Sequence, residues 1–87
     1  MELLQLRYFY ESAINESFSK TAKAHMVPST SVSASIKRLE QELGCELFVR
    51  SSNRVRLSQE GKRFYESVRE TLAGLDRAVE DLKPQHV

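Results

Sequence analysis

A mainly α fold is predicted for this chain: three short helices, a small two-stranded hairpin and one long helix. Three observations predict it. Apolar residues recur at helical spacing in four separate segments. Serine, proline and glycine fall between them, where helices start and stop. The stretch from Glu46 to Leu57 drops the helical period and is rich in apolar and β-branched residues.

Leu3, Leu6, Phe9, Tyr10, Ala13 and Ile14 mark a first amphipathic helix, roughly residues 3 to 15. Ser17 is suited to cap a second, roughly 18 to 25. Phe18 and Ala22 should face inward there, and the small Ala22 and Ala24 permit close helix packing. Met26-Val27-Pro28 interrupts the pattern. A residue before proline is biased toward extended geometry, so a turn is expected. Ser29 then caps the third helix, unless Pro28 or Thr30 shifts that boundary by a residue. Gly44 ends it.

The third helix splits into two faces. Val32, Ile36, Leu39 and Leu43 form one apolar stripe. At about 100° per residue, Thr30, Ser33, Ala34 and Lys37 gather on the opposite side. That second face is small, hydroxyl-rich and basic. It suits close approach to a polar anionic surface, with the DNA major groove as leading candidate.

Glu46 to Arg50 and Arg54 to Leu57 read as two strands joined by Ser51-Ser52-Asn53. A lone hairpin is marginal, so it should lean on the helices through Leu47, Phe48 and Leu57. Ser58 caps a fourth helix, about residues 59 to 82, with Glu60 in its first turn and Pro84 just beyond its end. Phe64, Val68, Leu72, Leu75, Val79 and Leu82 are spaced 4, 4, 3, 4 and 3 apart, close to a coiled-coil seam. The stripe outruns what the preceding residues can cover. A second copy of the same helix is its expected partner.

Charge sharpens this picture. The chain has 87 residues and a formal net charge of only +1. From Ser17 to Leu39, however, Lys20, Lys23, Lys37 and Arg38 meet no acidic residue. From Arg50 to Arg63, Arg50, Arg54, Arg56, Lys62 and Arg63 face Glu60 alone. Such clustering matters more for nucleic-acid binding than the total.

Other function classes find little support. No apolar run is long enough to span a membrane, and no basic-then-apolar leader opens the chain, so secretion is not expected. The Asn15-Glu16-Ser17 triplet is therefore set aside as a glycosylation acceptor. Cys45 is the only cysteine, which excludes an internal disulfide and reads as a small, partly buried residue. His25 and His86 stand far apart without a metal-ligand cluster, so neither metal nor cofactor is expected. There is no glycine-rich phosphate loop and no histidine beside a plausible nucleophile, which argues against an enzyme. The remaining rival is a protein-interaction module using the same exposed face.

Three helices, a basic hairpin and a long striped helix make a winged helix-turn-helix with a dimerising extension. The motifs sharpen this: Leu3-x-x-Leu6-x-x-Phe9, Ser17-Phe18-Ser19-x-x-Ala22, Ser33-x-x-Ile36-x-x-Leu39-Glu40-x-x-Leu43-Gly44-x-x-Leu47-Phe48-x-Arg50, and Val55-x-Leu57-Ser58-x-x-Gly61. In this order and spacing the chain resembles the N-terminal DNA-binding region of LysR-type transcriptional regulators over nearly its whole length. The resemblance implies a cytoplasmic, nucleoid-associated bacterial regulator that pairs through its linker helix. Residues 1 to 58 would form the winged unit, with the helix-turn-helix at about 18 to 37 and the wing at about 46 to 57. Residues 59 to 87 would form the linker and dimerisation helix. A C-terminal domain sensing a small-molecule inducer is expected in such regulators and lies outside this sequence. The family often begins its recognition helix with glutamine then proline, and places arginine two positions before the central isoleucine. Here those positions hold Ser29, Thr30 and Ala34.

A role follows for each candidate. Ser29, Thr30, Ser33, Ala34 and Lys37 are expected at base edges of double-stranded DNA. Thr30 and Ser33 would exchange hydrogen bonds, and the Thr30 methyl and Ala34 would touch thymine methyls. Ser29 also sits where helix N–H groups meet phosphate, and Lys37 could reach either a guanine edge or a backbone oxygen. Lys20, Arg38, Arg50 and Arg56 are assigned to phosphates, and Arg54 with Asn53 to a narrow minor groove. A symmetric pair of such units implies an inverted-repeat target.

Overall fold

The computed structural model describes residues 1–52 and 54–84. Its element order is α1 (Leu3–Asn15), α2 (Phe18–His25), α3 (Ser29–Leu43), β1 (Phe48–Ser51), β2 (Arg54–Leu57) and α4 (Gln59–Leu82). Asn53, expected at the wing tip, and His86 lie outside the described residues.

Local chemistry sets these boundaries. Glu2 and Gln5 cap α1 reciprocally, and Glu16 ends it in the left-handed region at φ 52°. The Ser17 hydroxyl accepts from the Lys20 amide at 3.1 Å and starts α2. Pro28, not Ser29, holds the cap position of α3. Its fixed φ suits that place, and its carbonyl accepts from the Ser31 amide at 3.0 Å, so no side-chain cap is used. Gly44 closes α3 at φ 75°, where its amide reaches the Glu40 carbonyl at 2.8 Å. The strands pair antiparallel, Phe48 with Leu57 through Ser51 with Arg54. Strand geometry begins at Phe48 rather than Glu46, because the Leu47 amide donates to the Glu40 carboxylate at 2.7 Å instead of joining a ladder.

The core sits where α1, α2, α3 and the near half of α4 converge on the wing's inner face. Val32, Ile36 and Leu39 of α3 are fully buried, together with Phe9 and Leu47. Phe9 anchors the cluster, its ring centroid 5.5 Å from Phe48 and 5.3 Å from Phe64, while Phe18 meets Phe48 edge-on at 5.3 Å. Leu43, expected on the apolar stripe, reaches only the rim of this core. Ala24 is exposed and mediates no helix packing, whereas Ala22 is buried.

The buried face of α1 is rotated from the expected one. Gln5, Tyr8, Phe9 and Ser12 point inward, while Leu3 and Ile14 are exposed. The polar pair can be buried because each finds a partner. The Gln5 amide donates to the Ser35 carbonyl at 2.9 Å, and the Ser12 hydroxyl bonds Thr21 at 3.0 Å.

The α4 stripe is divided rather than continuous. Val68 and Leu72 belong to this chain's own core, and Phe64 packs half-buried against Phe9. Leu75, Val79 and Leu82 remain 38%, 50% and 85% exposed. The expected six-residue intermolecular seam is corrected accordingly: its first three positions are taken up by α1 and the wing. Tyr65 of α4 stacks on Tyr10 at 5.3 Å, and desolvation followed by the neighbouring Tyr10 hydroxyl raises its phenol above the ordinary value. Arg7 pairs with Asp76 at 3.0 Å farther along the same interface. Beyond this α4 runs free, giving extents of 51 × 26 × 19 Å. No described helix is long and apolar enough to cross a membrane.

Gly61 fixes the approach of α4 to the segment before the wing. A Cβ there would lie 2.0 Å from the Leu47 carbonyl oxygen, which itself accepts from the Ser58 amide. Backbone on both sides leaves little room to yield. Gly61→Ala should therefore destabilise the fold by roughly 1–3 kcal/mol despite alanine's higher helix propensity. Urea denaturation checks this, and unchanged or increased stability would contradict the close approach.

Candidate nucleic-acid interface

The outer face of α3 is open because its inner face is sealed. Ser29, Thr30, Ala34 and Lys37 are exposed, and Ser33 is half-buried. Ser31, passed over in the sequence reading, is exposed beside them. Its spacing from Ala34 could have flagged it. No long side chain stands on the first two turns, so the backbone itself can come close to whatever docks there. Met26 precedes the helix at φ 55° and is 92% exposed, an apolar neighbour that the turn assignment did not single out.

Two elements hold α3 at a set angle to the wing. The Glu40 carboxylate accepts from the amides of Leu47 at 2.7 Å and Phe48 at 3.3 Å. It thus bonds the last residue before β1 and the first residue within it. On the other flank, Gln5 grips the α3 backbone at Ser35. Between α3 and the wing lies an open groove lined by Lys37, Glu40, Glu46, Phe48 and Arg50. Lys37 and Arg50 supply its positive charge. The Arg50 guanidinium rests 5.1 Å from the Phe18 ring centroid, a cation–π contact that restricts it without neutralising it.

The remaining candidates divide. Lys20 is exposed in the first turn of α2. Arg38 lines a separate cleft with Met1, Glu2, Gln5, Ser35 and Glu42, off the centre of the Lys37 face. Arg54 and Arg56 project from β2, and both lie near Glu16, at 3.9 and 3.7 Å. That carboxylate lies outside both basic segments of the sequence, so their charge pattern does not reveal it. Farther back, His25 meets Glu11 at 2.8 Å and Tyr8 edge-on, which ties the end of α2 to α1. On α4, the hydrogen bond that Arg69 donates to Glu66 holds its guanidinium above the ordinary value.

Residues 3–62 match the bacterial regulatory helix-turn-helix protein model of the lysR family. The chain belongs to the LysR family. It is 36% identical to the transcriptional regulator DsdC of Escherichia coli K12 over 86 residues, 99% of this chain and 28% of that protein. It is 42% identical to BudR of Klebsiella aerogenes over 80 residues, 92% of this chain and 56% of that protein. Both relatives are helix-turn-helix-type transcriptional regulators. The chain thus spans about a quarter to about half of such relatives. Among solved structures, the BenM DNA-binding domain in complex with benA site 1 DNA superposes with a TM-score of 0.86 at 36% identity, covering 92% of this chain and 93% of that one. The CbnR DNA-binding domain in its DNA complex gives 0.85 at 30% identity, covering 93% of each. The LysR assignment rests on α1 through the start of α4, the part that builds the α3 face.

Glu40 is the joint between helix and wing in this LysR-type unit. Glu40→Ala should leave two amides without an acceptor and lower stability by about 1–3 kcal/mol. Glu40→Gln, which keeps one acceptor, should lose less. Thermal unfolding of both variants checks the order, and equal loss would deny the carboxylate this role.

Proposed function

We propose that this chain binds double-stranded DNA sequence-specifically, as the DNA-binding unit of a LysR-type bacterial transcriptional regulator acting as a dimer on an inverted repeat. One observation carries the reading: a helix with a sealed apolar side presents a small, cationic outer face, flanked by a wing that carries arginines. Proteins of similar fold have been crystallised on their DNA sites, which supports the same class of partner here.

In this reading α3 enters the major groove. Thr30 and Ser33 hydrogen-bond base edges, Ala34 and the Thr30 methyl meet thymine methyls, and Ser29 and Lys37 complete the contact set. Lys20, Arg50 and Arg56 take phosphates, with Arg38 reaching a phosphate only at the edge of the footprint. Arg54 enters the minor groove beside the wing. The short outer face of α3 favours apolar and hydroxyl contacts over the bidentate arginine and glutamine contacts available to longer side chains. The exposed Leu75, Val79 and Leu82 then pair with those of a second copy, and the symmetry of the pair dictates that of the site. Within a whole regulator, an effector-binding domain would supply inducer control from the cytoplasm.

Selection of bound duplexes from a random pool should enrich an inverted motif whose half-sites lie about one or more helical turns apart. With six to ten phosphate contacts per dimer, affinity for that motif should fall by about three to five orders of magnitude between 50 and 200 mM salt. No enrichment at low salt, with capture of a protein partner instead, would overturn the DNA reading.

Leu75 lies at the point where the stripe leaves the core. Leu75→Glu should shift the chain toward monomer and weaken binding to the inverted motif together. Sedimentation over a concentration series reads the first effect and fluorescence anisotropy the second. A variant that stays fully dimeric would exclude this seam.

A further inference from the structure

Glu16 lies where the wing meets the corner between α1 and α2. Its backbone carbonyl accepts from the Val55 amide at 3.4 Å, in the middle of β2. Its side chain reaches the two residues that flank Val55, Arg54 at 3.9 Å and Arg56 at 3.7 Å. The alternation of a strand puts both guanidiniums on one face, opposite the buried Val55. One carboxylate therefore serves the two outward cations of β2. Glu16 closes α1 in the left-handed backbone region, at φ 52°.

These pairs are loose. Charge-assisted hydrogen bonds close to about 2.7–2.9 Å, and neither contact does so. Arg54 and Arg56 keep side-chain exposures of 65% and 63%. Each guanidinium can leave the carboxylate for another oxygen anion without being desolvated first.

We propose that Glu16 is a specificity-determining residue, an internal anion that competes with DNA phosphates for Arg54 and Arg56. This rests on the proposed wing contact with DNA. A duplex of arbitrary sequence meets the arginines near their resting positions, where Glu16 already neutralises part of their charge and repels the incoming phosphate. A matched site draws the wing inward and carries Arg54 into the groove, away from Glu16. The carboxylate thus penalises the indiscriminate complex more than the matched one, and widens the gap between them. Contacts to phosphate dominate non-specific binding, so that is where its charge should weigh most.

The test uses Glu16→Gln, which removes the charge and retains the backbone bond to Val55. Glu16→Asn is its companion, neutral and tolerant of left-handed backbone. Each is measured against random-sequence duplex and against the selected inverted motif, over a salt series, with melting temperature as the control for folding. Tighter binding to random duplex by about three- to tenfold at low salt is expected, from two surface ion pairs of ordinary strength. The motif should gain less, the ratio of motif to random affinity should fall, and the salt dependence on random duplex should steepen. In an Arg54→Ala, Arg56→Ala background the Glu16 substitutions should raise random-duplex affinity clearly less than in the parent, since only the direct repulsion of phosphate is left to relieve. If the double alanine variant weakens binding while neither Glu16 variant alters random-duplex affinity or its salt dependence, the competing role is wrong and the wing contact stands. If the double alanine variant binds like the parent, the wing contact itself is wrong and the role of Glu16 falls with it.

Discussion

The outer surface of α3 depends on how firmly its inner surface is held. Val32, Ile36 and Leu39 are completely withdrawn from water. Burying side chains of this size contributes about 1.5–3 kcal/mol each, and the aromatic ring system around Phe9 gives them a rigid counterpart. Rotating α3 by even one residue would bring Ser33 or Lys37 toward that packing and Val32 or Ile36 toward solvent. The hydrophobic stripe therefore fixes the rotational setting of the helix, and the hydroxyls and lysine face outward as a result. Two polar clamps refine the setting. Gln5 holds the α3 backbone from α1, and Glu40 ties the C-terminal half of α3 to the start of the wing.

Much of this was legible in the residues alone, for identifiable reasons. The amphipathic period of α3, the Ser17 and Ser58 caps and the glycine at the end of α3 are local signals, and local signals survive folding. The rotational phase of α1 was not legible. A hydrophobic pattern places Leu3 and Ile14 inside and Gln5 and Ser12 outside. The burial of Gln5 and Ser12 becomes acceptable only through Ser35 and Thr21, which are distant in sequence. The same limit hid Glu16. Charge counted along the chain shows the arginines of the wing as a cluster without a counterion, yet the turn after α1 delivers one from about forty positions upstream.

Electrostatics in this LysR-type unit works by placement rather than total. A net charge of +1 says little, because acidic residues sit at positions with specific tasks. Glu40 satisfies amides, Glu11 meets His25, and Asp76 meets Arg7 at the α1–α4 contact. The exposed Arg7–Asp76 pair contributes little stability and is weakened by salt. What the three carboxylates share is that each faces a fixed partner on another element. The Arg50 guanidinium against Phe18 achieves the same with an aromatic face, restricting the side chain while its full charge remains available.

The division of α4 explains why one repeating pattern can serve two purposes. A stripe with positions three and four apart will pack against any complementary apolar surface, whether in the same chain or another. Its first half meets α1 and the core, because Gly61 lets the helix start almost against the Leu47 carbonyl. That closeness sets the axis of α4, and the axis carries the helix past the end of α1, where Arg7 and Asp76 form the last cross-helix pair. Along the same stripe, among the described residues, exposure rises steadily from Leu75 to Leu82. A helix of this length needs tertiary packing to hold its far end, since local propensity alone leaves isolated helical segments marginal. The apolar spacing is thus maintained beyond the point where the fold that begins it can use it.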